Sequence, residues 1–294
     1  MPEGDTILRT ARALERWLGG REITAARSQR RTVPATRLVG HTVEGVEARG
    51  KHLLIRFSSG DVLHTHMRMT GSWHVYSTGE RWRKPGWQAR VVLEAGERVA
   101  VCFDAPVVEL LAAGEEERHP ALAGLGPDVL VDPFDVAEVL RRAGRQPPAV
   151  PVGALVLDQR VVSGIGNIYR CESLFLAGLH PATPRAAVDD DALVGLVRTA
   201  ARLMRDNLAP AQGFDRRFAP AGGPAGPWVY GRAGRPCHRC RTSVVVGPVG
   251  DPPRDAWWCP TCQPARATGP APGTEGGPSL TAPVARRRPV PRRP

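Results

Sequence analysis

The chain has 294 residues, a formal net charge of +11 and an isoelectric point near 10.3. That length accommodates two domains and a sizeable core, which excludes a small scaffold stapled by disulfides. No apolar run approaches the roughly 20 residues that cross a bilayer and no signal peptide opens the chain, so a cytoplasmic protein without a membrane partner is expected.

The charge is not confined to one end. Residues 265–294 carry six arginines and one glutamate, a net +5, and the body keeps the other +6. A basic body points to a polyanion, nucleic acid first, against the plainer reading of a solubilising surface. Only Lys51 and Lys84 among 40 basic residues are lysine. A lysine kept at position 51 suits a role for a compact ammonium.

The chain opens "MPEGDTILRT". Pro2 and Glu3 read most simply as the lead-in to a helix. Removal of Met1 would instead leave Pro2 with a free secondary amine. Thr6 to Leu18 follows as an amphipathic helix, with Ile7, Leu8, Ala11, Leu14 and Leu18 at helical spacing and Gly19-Gly20 as its stop. From Glu22 to about Leu111 short apolar runs alternate with turns. "HLLIRF", "DVLHTHM", "GSWHVY", "ARVVLEA" and "RVAVCF" read as strands of a β-sandwich or barrel.

A polar connector, "EEERHPALAGLGPDVL", separates these from helical segments: "DPFDVAEVLRRAG", "PVGALVLDQRVV", "NIYRCESLFLAGLH" and "DDDALVGLVRTAARLMRDNL". Gly-Ile-Gly stands directly before Asn167, which is expected to cap a helix. The free amides of that helix start could hold a phosphate, or the turn could be a cap and nothing more. Residues 209–227 read as a mobile loop. "CHRC" and "CPTC" then give C-x2-C-x18-C-x2-C through Cys237, Cys240, Cys259 and Cys262. Four thiolates at this spacing suit one structural Zn²⁺ at the base of a β-hairpin, two disulfides being the other reading. Arg254 in that hairpin is a phosphate contact or a solvated charge. The tail from Ala265 is expected to be disordered.

Five stretches occur in order: "PEG", "GKHLLIRF", "HMRMTGSW", "SGIGNIYRCESLF" and "VYGRAGRPCHRC…RDAWWCPTCQ". On these, residues 2 to 264 resemble the formamidopyrimidine-DNA glycosylase and endonuclease VIII family of DNA repair enzymes, most closely the endonuclease VIII branch. The resemblance implies an α+β protein of two domains, with DNA in the cleft between them. Residues 1–118 would form the N-terminal β-sandwich with its flanking helix and 119–131 a linker. Residues 132–226 would form the helix–two-turn–helix domain, 227–264 the zinc finger and 265–294 the basic tail.

It further implies a monomer at the bacterial nucleoid that removes oxidised pyrimidines from duplex DNA, and from single strands as well. The Pro2 amine would attack the sugar C1′, Glu3 would act as general acid and base, and Lys51 would contact the sugar–phosphate and donate a proton. Asn167 and Arg254 would grip flanking phosphates. Arg68, Met69 and Thr70 would fill the gap left by the extruded base, with Met69 as the wedge, although Met69 also reads as a core methionine at a strand end.

Two departures stand out. "FDAPVVEL" at 103–110 occupies the place of an Arg-Arg-Phe loop that marks the purine-lesion branch. Asp5-Thr6 replaces a usual Pro-Glu, so Asp5 either substitutes for a missing proton-transfer group or caps the helix. The alternatives are an 8-oxoguanine- or formamidopyrimidine-directed glycosylase, a zinc-containing damaged-DNA-binding protein without catalysis, and an RNA-binding module. Pro2-Glu3 distinguishes an enzyme from either binder.

Overall fold

The computed structural model describes residues 2–208, 216–220 and 223–265. The expected disordered tail beyond Ala265 and part of the expected mobile loop lie outside the described residues.

The first helix, α1 (Gly4–Leu18), starts two residues before the apolar periodicity does. Its Ile7, Ala11, Leu14 and Leu18 form a buried stripe. The stripe packs into a core shared by two four-stranded antiparallel sheets. The strands are β1 (Ala25–Ser28), β2 (Val43–Arg49), β3 (His52–Phe57), β4 (Val62–His66), β5 (Ser72–Ser77), β6 (Ala89–Ala95), β7 (Arg98–Phe103) and β8 (Val107–Leu111). One sheet has the order β1-β6-β7-β5, the other β2-β3-β4-β8. Leu53, Ile55, Phe57 and Leu63 face Val91, Leu93, Ala100 and Cys102 across this core.

The five strands read from short apolar runs between turns are present. The other three carry weaker patterns. β1 is "AARS", β2 is polar with a bulge at Gly45, and β8 lies in the stretch taken to replace a loop. Residues 103–110 are therefore mostly strand. A three-residue turn at 104–106 joins β7 to β8, and Asp104 takes a φ of 50° there.

The connector crosses the outer face of the second sheet, where Leu122 packs on Leu54, Val62 and Leu111. Beyond it lie α2 (Val136–Gly144), α3 (Val152–Leu155), α4 (Asn167–Leu176) and α5 (Asp190–Asp206). Asp135 and Asp189 cap α2 and α5, accepting from the amides of Glu138 and Ala192 at 2.9 and 2.7 Å. The expected helix over "PVGALVLDQRVV" stops after one turn. Asp158 draws the chain into a tight turn by accepting from the amide and the guanidinium of Arg160. Last comes the hairpin β9 (Val245–Val249) and β10 (Arg254–Trp258). Among the described residues no helix is long and apolar enough to cross a membrane.

Candidate active site

Glu3 is the residue before α1, yet its carboxylate does not cap α1. It crosses to the second domain and accepts from the amides of Gly166 and Ile168 at 2.9 and 2.8 Å, with Tyr169 at a longer 3.4 Å. These are the unpaired amides at the start of α4, where the helix dipole favours negative charge. The helix start expected to offer amides to a phosphate is thus filled by a carboxylate of the same chain. Burial pushes the Glu3 carboxyl up, against Lys51, Arg216 and the Ile168 amide, which pull it down. Burial that favours the protonated form, set against charges and an amide that favour the carboxylate, suits a group that gives and takes a proton.

The join is reinforced on each side. The Gly4 amide donates to the Gly164 carbonyl at 3.0 Å. Asp5 is fully buried and caps nothing. Its oxygens accept from Arg216 Nε and Nη2, both at 2.8 Å, and from the Tyr169 hydroxyl at 2.9 Å. Asp5 is therefore a bracket between α1, α4 and the segment carrying Arg216.

Pro2 sits at the mouth of this join and lines a cavity of about 570 Å³. Met67, Met69, His74, Tyr76 and Arg216 form other parts of its wall. Aromatic and methionine surface beside a few polar groups suits a flat heteroaromatic guest.

Lys51 stands at the tip of the β2–β3 hairpin. The tip docks on the connector, with the Gly50 amide donating to Asp128 Oδ2 at 2.7 Å. Gly50 has a φ of +59°, and an added Cβ would come within 3.0 Å of Ser163. Burial pushes the Lys51 ammonium down to about 8, with Glu3 opposing and Arg254 assisting. An amine near that value exchanges protons at neutral pH.

Met69 is 66% exposed, which removes the reading of a core methionine. Arg68 beside it holds a φ of 43°, and its amide donates to His66 Nδ1 at 3.1 Å. Burial pushes His66 down to about 4, so it is a neutral acceptor. Thr70 Oγ1 donates to the Asp104 carbonyl at 3.0 Å. These bonds shape a loop that presents Met69 beside the Pro2 cavity.

Asn167 is not the cap of α4; Gly166 holds that position. With the helix-start amides taken by Glu3, the Asn167 amide is free to reach the hairpin, where Nδ2 donates to the Asp255 carbonyl at 2.9 Å. Arg254, exposed at the start of β10, is its neighbour across this contact. Arg170, fully buried, donates from Nη2 to the same Asp255 carbonyl at 2.5 Å.

The Sγ atoms of Cys237, Cys240, Cys259 and Cys262 all lie within 4.8 Å of one another. Cys240–Cys259 and Cys237–Cys262 are 3.3 and 4.0 Å apart, bracketing the roughly 3.8 Å edge of a tetrahedral ZnS₄ centre. None is in a disulfide, and Cys102 and Cys171 lie elsewhere. The four cysteines can hold a metal ion.

Sequence reasoning missed Tyr169, Arg170, Glu172 and Arg216. Glu172 is fully buried and accepts from the amides of Trp228, Val229 and Tyr230 at 2.7, 3.0 and 2.9 Å, which positions the segment leading to the hairpin. The available signal was "NIYRCESLFL", a helix whose arginine and glutamate fall among apolar residues on all sides.

Comparison with known proteins matches this architecture. Residues 1–106 match the formamidopyrimidine-DNA glycosylase N-terminal domain, and residues 125–216 the formamidopyrimidine-DNA glycosylase H2TH domain. A Streptomyces coelicolor protein named "Probable endonuclease 8 2" is 41% identical over 281 residues, covering 94% of this chain and 97% of its own. A Mycolicibacterium smegmatis protein named "DNA-(apurinic or apyrimidinic site) lyase Nei2" is 34% identical over 266 residues, covering 90% and 100%. The solved structure of Lactococcus lactis Fpg (MutM) in complex with DNA containing N7-benzyl-Fapy-dG has a TM-score of 0.74 at 22% identity, covering 90% and 100%. The chain belongs to the formamidopyrimidine-DNA glycosylase and endonuclease VIII family.

Proposed function

We propose that this family member is a bifunctional DNA glycosylase and abasic-site lyase of base excision repair, working through a Schiff base on the Pro2 nitrogen. One observation carries the reading. Pro2 lines the cavity at the domain junction, while the next residue, Glu3, is buried and locked to the other domain. A purely structural N-terminus does not need a carboxyl desolvated beside a cavity.

With Met1 removed, the Pro2 α-amine has an ordinary pKa near 8, so part of it is neutral at pH 7. The damaged base is extruded into the cavity, and the amine attacks C1′. Glu3 protonates the ribose ring oxygen as the ring opens, and the base departs. The secondary amine gives an iminium, an electron sink that acidifies the C2′ hydrogen. Loss of that proton expels the 3′ phosphate by β-elimination, and a δ-elimination at the 5′ side completes the gap. Lys51, held near pKa 8, contacts the sugar–phosphate and exchanges a proton with it. Met69 enters the stack in place of the base, with Arg68 beside it. Asn167 and Arg254, adjacent on α4 and the hairpin, hold flanking phosphates without reading sequence.

Cys237, Cys240, Cys259 and Cys262 hold one Zn²⁺, which supplies the folding energy that a small hairpin lacks. The partner is duplex DNA with an oxidised pyrimidine or an abasic site, single strands also being cut, and the protein acts as a monomer in the cytoplasm. Borohydride reduction during turnover tests the core of this reading. A covalent protein–DNA adduct on the nitrogen of residue 2 is the expected result. No adduct, or one on Lys51, would overturn it.

A further inference from the structure

On the outer face of the second sheet two imidazoles converge on one carboxylate oxygen. Glu109 Oε2 is 2.9 Å from His64 Nδ1 and 3.1 Å from His119 Nε2. His64 and Glu109 are directly opposed in the β4–β8 register, and His119 comes from the connector between the domains. Besides the four cysteines, this is the one group of three or more His, Cys, Asp or Glu among the described residues whose ligand atoms all lie within 4.8 Å.

We propose that His64, Glu109 and His119 form a second metal site, which takes a divalent first-row transition ion such as Zn²⁺ and clips the interdomain connector to the sheet. Two nitrogens and one carboxylate oxygen suit Zn²⁺ or its neighbours rather than Ca²⁺ or Mg²⁺. Metal–ligand bonds of about 2.0–2.1 Å set a tetrahedral edge of about 3.4 Å, so Glu109 Oε2 parts from each of the two imidazole nitrogens by only a few tenths of an ångström.

The surroundings fit a ligand set. His64 is 1% exposed and cannot turn to water. Its Nε2 lies 2.8 Å from Nδ1 of the buried His52. With the ion on His64 Nδ1, the Nε2 hydrogen is donated to His52, the outer contact that fixes a ligating imidazole. With the ion on His119 Nε2, that ring carries its hydrogen on Nδ1 and gives up only a long 3.3 Å contact from the Ala121 amide. The ion receives lone pairs and no group changes oxidation state. A cleft of about 480 Å³ reaches Glu109 and His119 from solvent, which gives a path in and leaves the fourth position to water.

The test uses the full-length protein, with Glu109→Gln and His119→Ala, two positions outside the proposed catalytic and DNA-contacting residues. Each protein is equilibrated by dialysis against Zn²⁺, and bound metal is counted by mass spectrometry. In parallel, Co²⁺ substitution separates the sites, because thiolate-to-cobalt charge transfer arises only at the cysteines. Two ions per wild-type chain are expected, and one in each variant with the thiolate band unchanged. The unchanged band and far-ultraviolet circular dichroism show that the variants are folded. One ion or none beyond the thiolate-bound ion separates the outcomes clearly: a wild type that binds metal only at the cysteines, or variants that both keep the second ion, would overturn the proposal. A wild type that lacks the thiolate band but binds an ion lost with His119 would overturn the cysteine reading and support this one.

Discussion

The Glu3 carboxyl group occupies the space that a side chain at position 166 would need: a Cβ on Gly166 would lie 2.3 Å from Glu3 Cδ. Glycine is required there by close approach, not by an unusual φ, which is −114°. Gly166→Ala should therefore displace the carboxyl. Overpacking of this kind costs about 1–3 kcal/mol, and a shift of about 1 Å in a catalytic group costs about 10²-fold in rate. Thermal unfolding and single-turnover excision check the two effects; a variant with unchanged excision would remove Glu3 from the chemistry.

Glu3→Gln keeps the shape but turns an amide NH₂ toward backbone donors. Destabilisation of about 1–3 kcal/mol is expected from the mismatched hydrogen bonds. Loss of the general acid should lower base excision by a further 10²–10⁴-fold, about the usual worth of such a group, while DNA affinity stays. Rates are to be compared at equal folded fraction, and normal excision by folded Glu3→Gln refutes the role.

Lys51 predicts how stability varies with pH. Its folded value of about 8 lies below the roughly 10.4 of an unfolded lysine. Between those values the unfolded chain binds more protons, so this residue makes stability rise with pH across about pH 8 to 10.4. Its destabilising effect is complete below about pH 8. Lys51→Met should be more stable than wild type at pH 7, and the advantage should shrink toward pH 10. Urea unfolding at several pH values measures this; a difference that does not vary with pH contradicts the buried ammonium.

Metal removal should act through the hairpin. A strong chelator or Cys240→Ser should cost the protein its DNA affinity, because Asn167 and Arg170 both anchor to the Asp255 carbonyl on β10. The domain around α1 should stay folded, since its core is separate. Fluorescence anisotropy with a duplex and circular dichroism read the two responses, and full affinity without metal would show that the centre is dispensable.

On the proposed function, a lesion preference is predicted from the turn at 104–106. That turn is Asp-Ala-Pro and contains no arginine to meet the base opposite a lesion, and its Asp104 carbonyl accepts from Thr70 Oγ1. Each good bidentate base contact is worth about 1–3 kcal/mol, so its absence predicts weak discrimination among opposite bases. Thymine glycol, 5-hydroxyuracil and abasic sites should be processed faster than 8-oxoguanine opposite cytosine. Fastest excision of 8-oxoguanine, restricted to that pair, would reassign the branch and leave the mechanism intact.

Local patterns were legible where one residue's neighbours in sequence are also its neighbours in space. The α1 stripe, the apolar run of β3 and the paired C-x2-C motifs are of this kind. The Glu3–Gly166 contact spans 163 residues, and nothing near either residue announces it. The same distance explains why Asp5 and Asn167 both looked like helix caps. Their local chemistry suited those roles, and partners from other segments claimed them. Strand β8, "VVELL", was obscured because four of its five residues are apolar and show no alternation, and its one polar residue, Glu109, meets His119 of the connector.

The bracket around Glu3 has a consequence for synthesis on the ribosome. A chain that has emerged only through residue 118 contains Pro2, Glu3 and Lys51, but not the α4 amides that hold Glu3 or the Arg216 that pairs with Asp5. Two carboxylates that are fully buried in the finished protein would then lack their partners and stay in water. If Pro2 and Glu3 act as proposed, the amine and the acid come into register only once residue 216 has been made and has folded back. A fragment terminated before that point would carry both residues without the arrangement that the proposed strand scission needs.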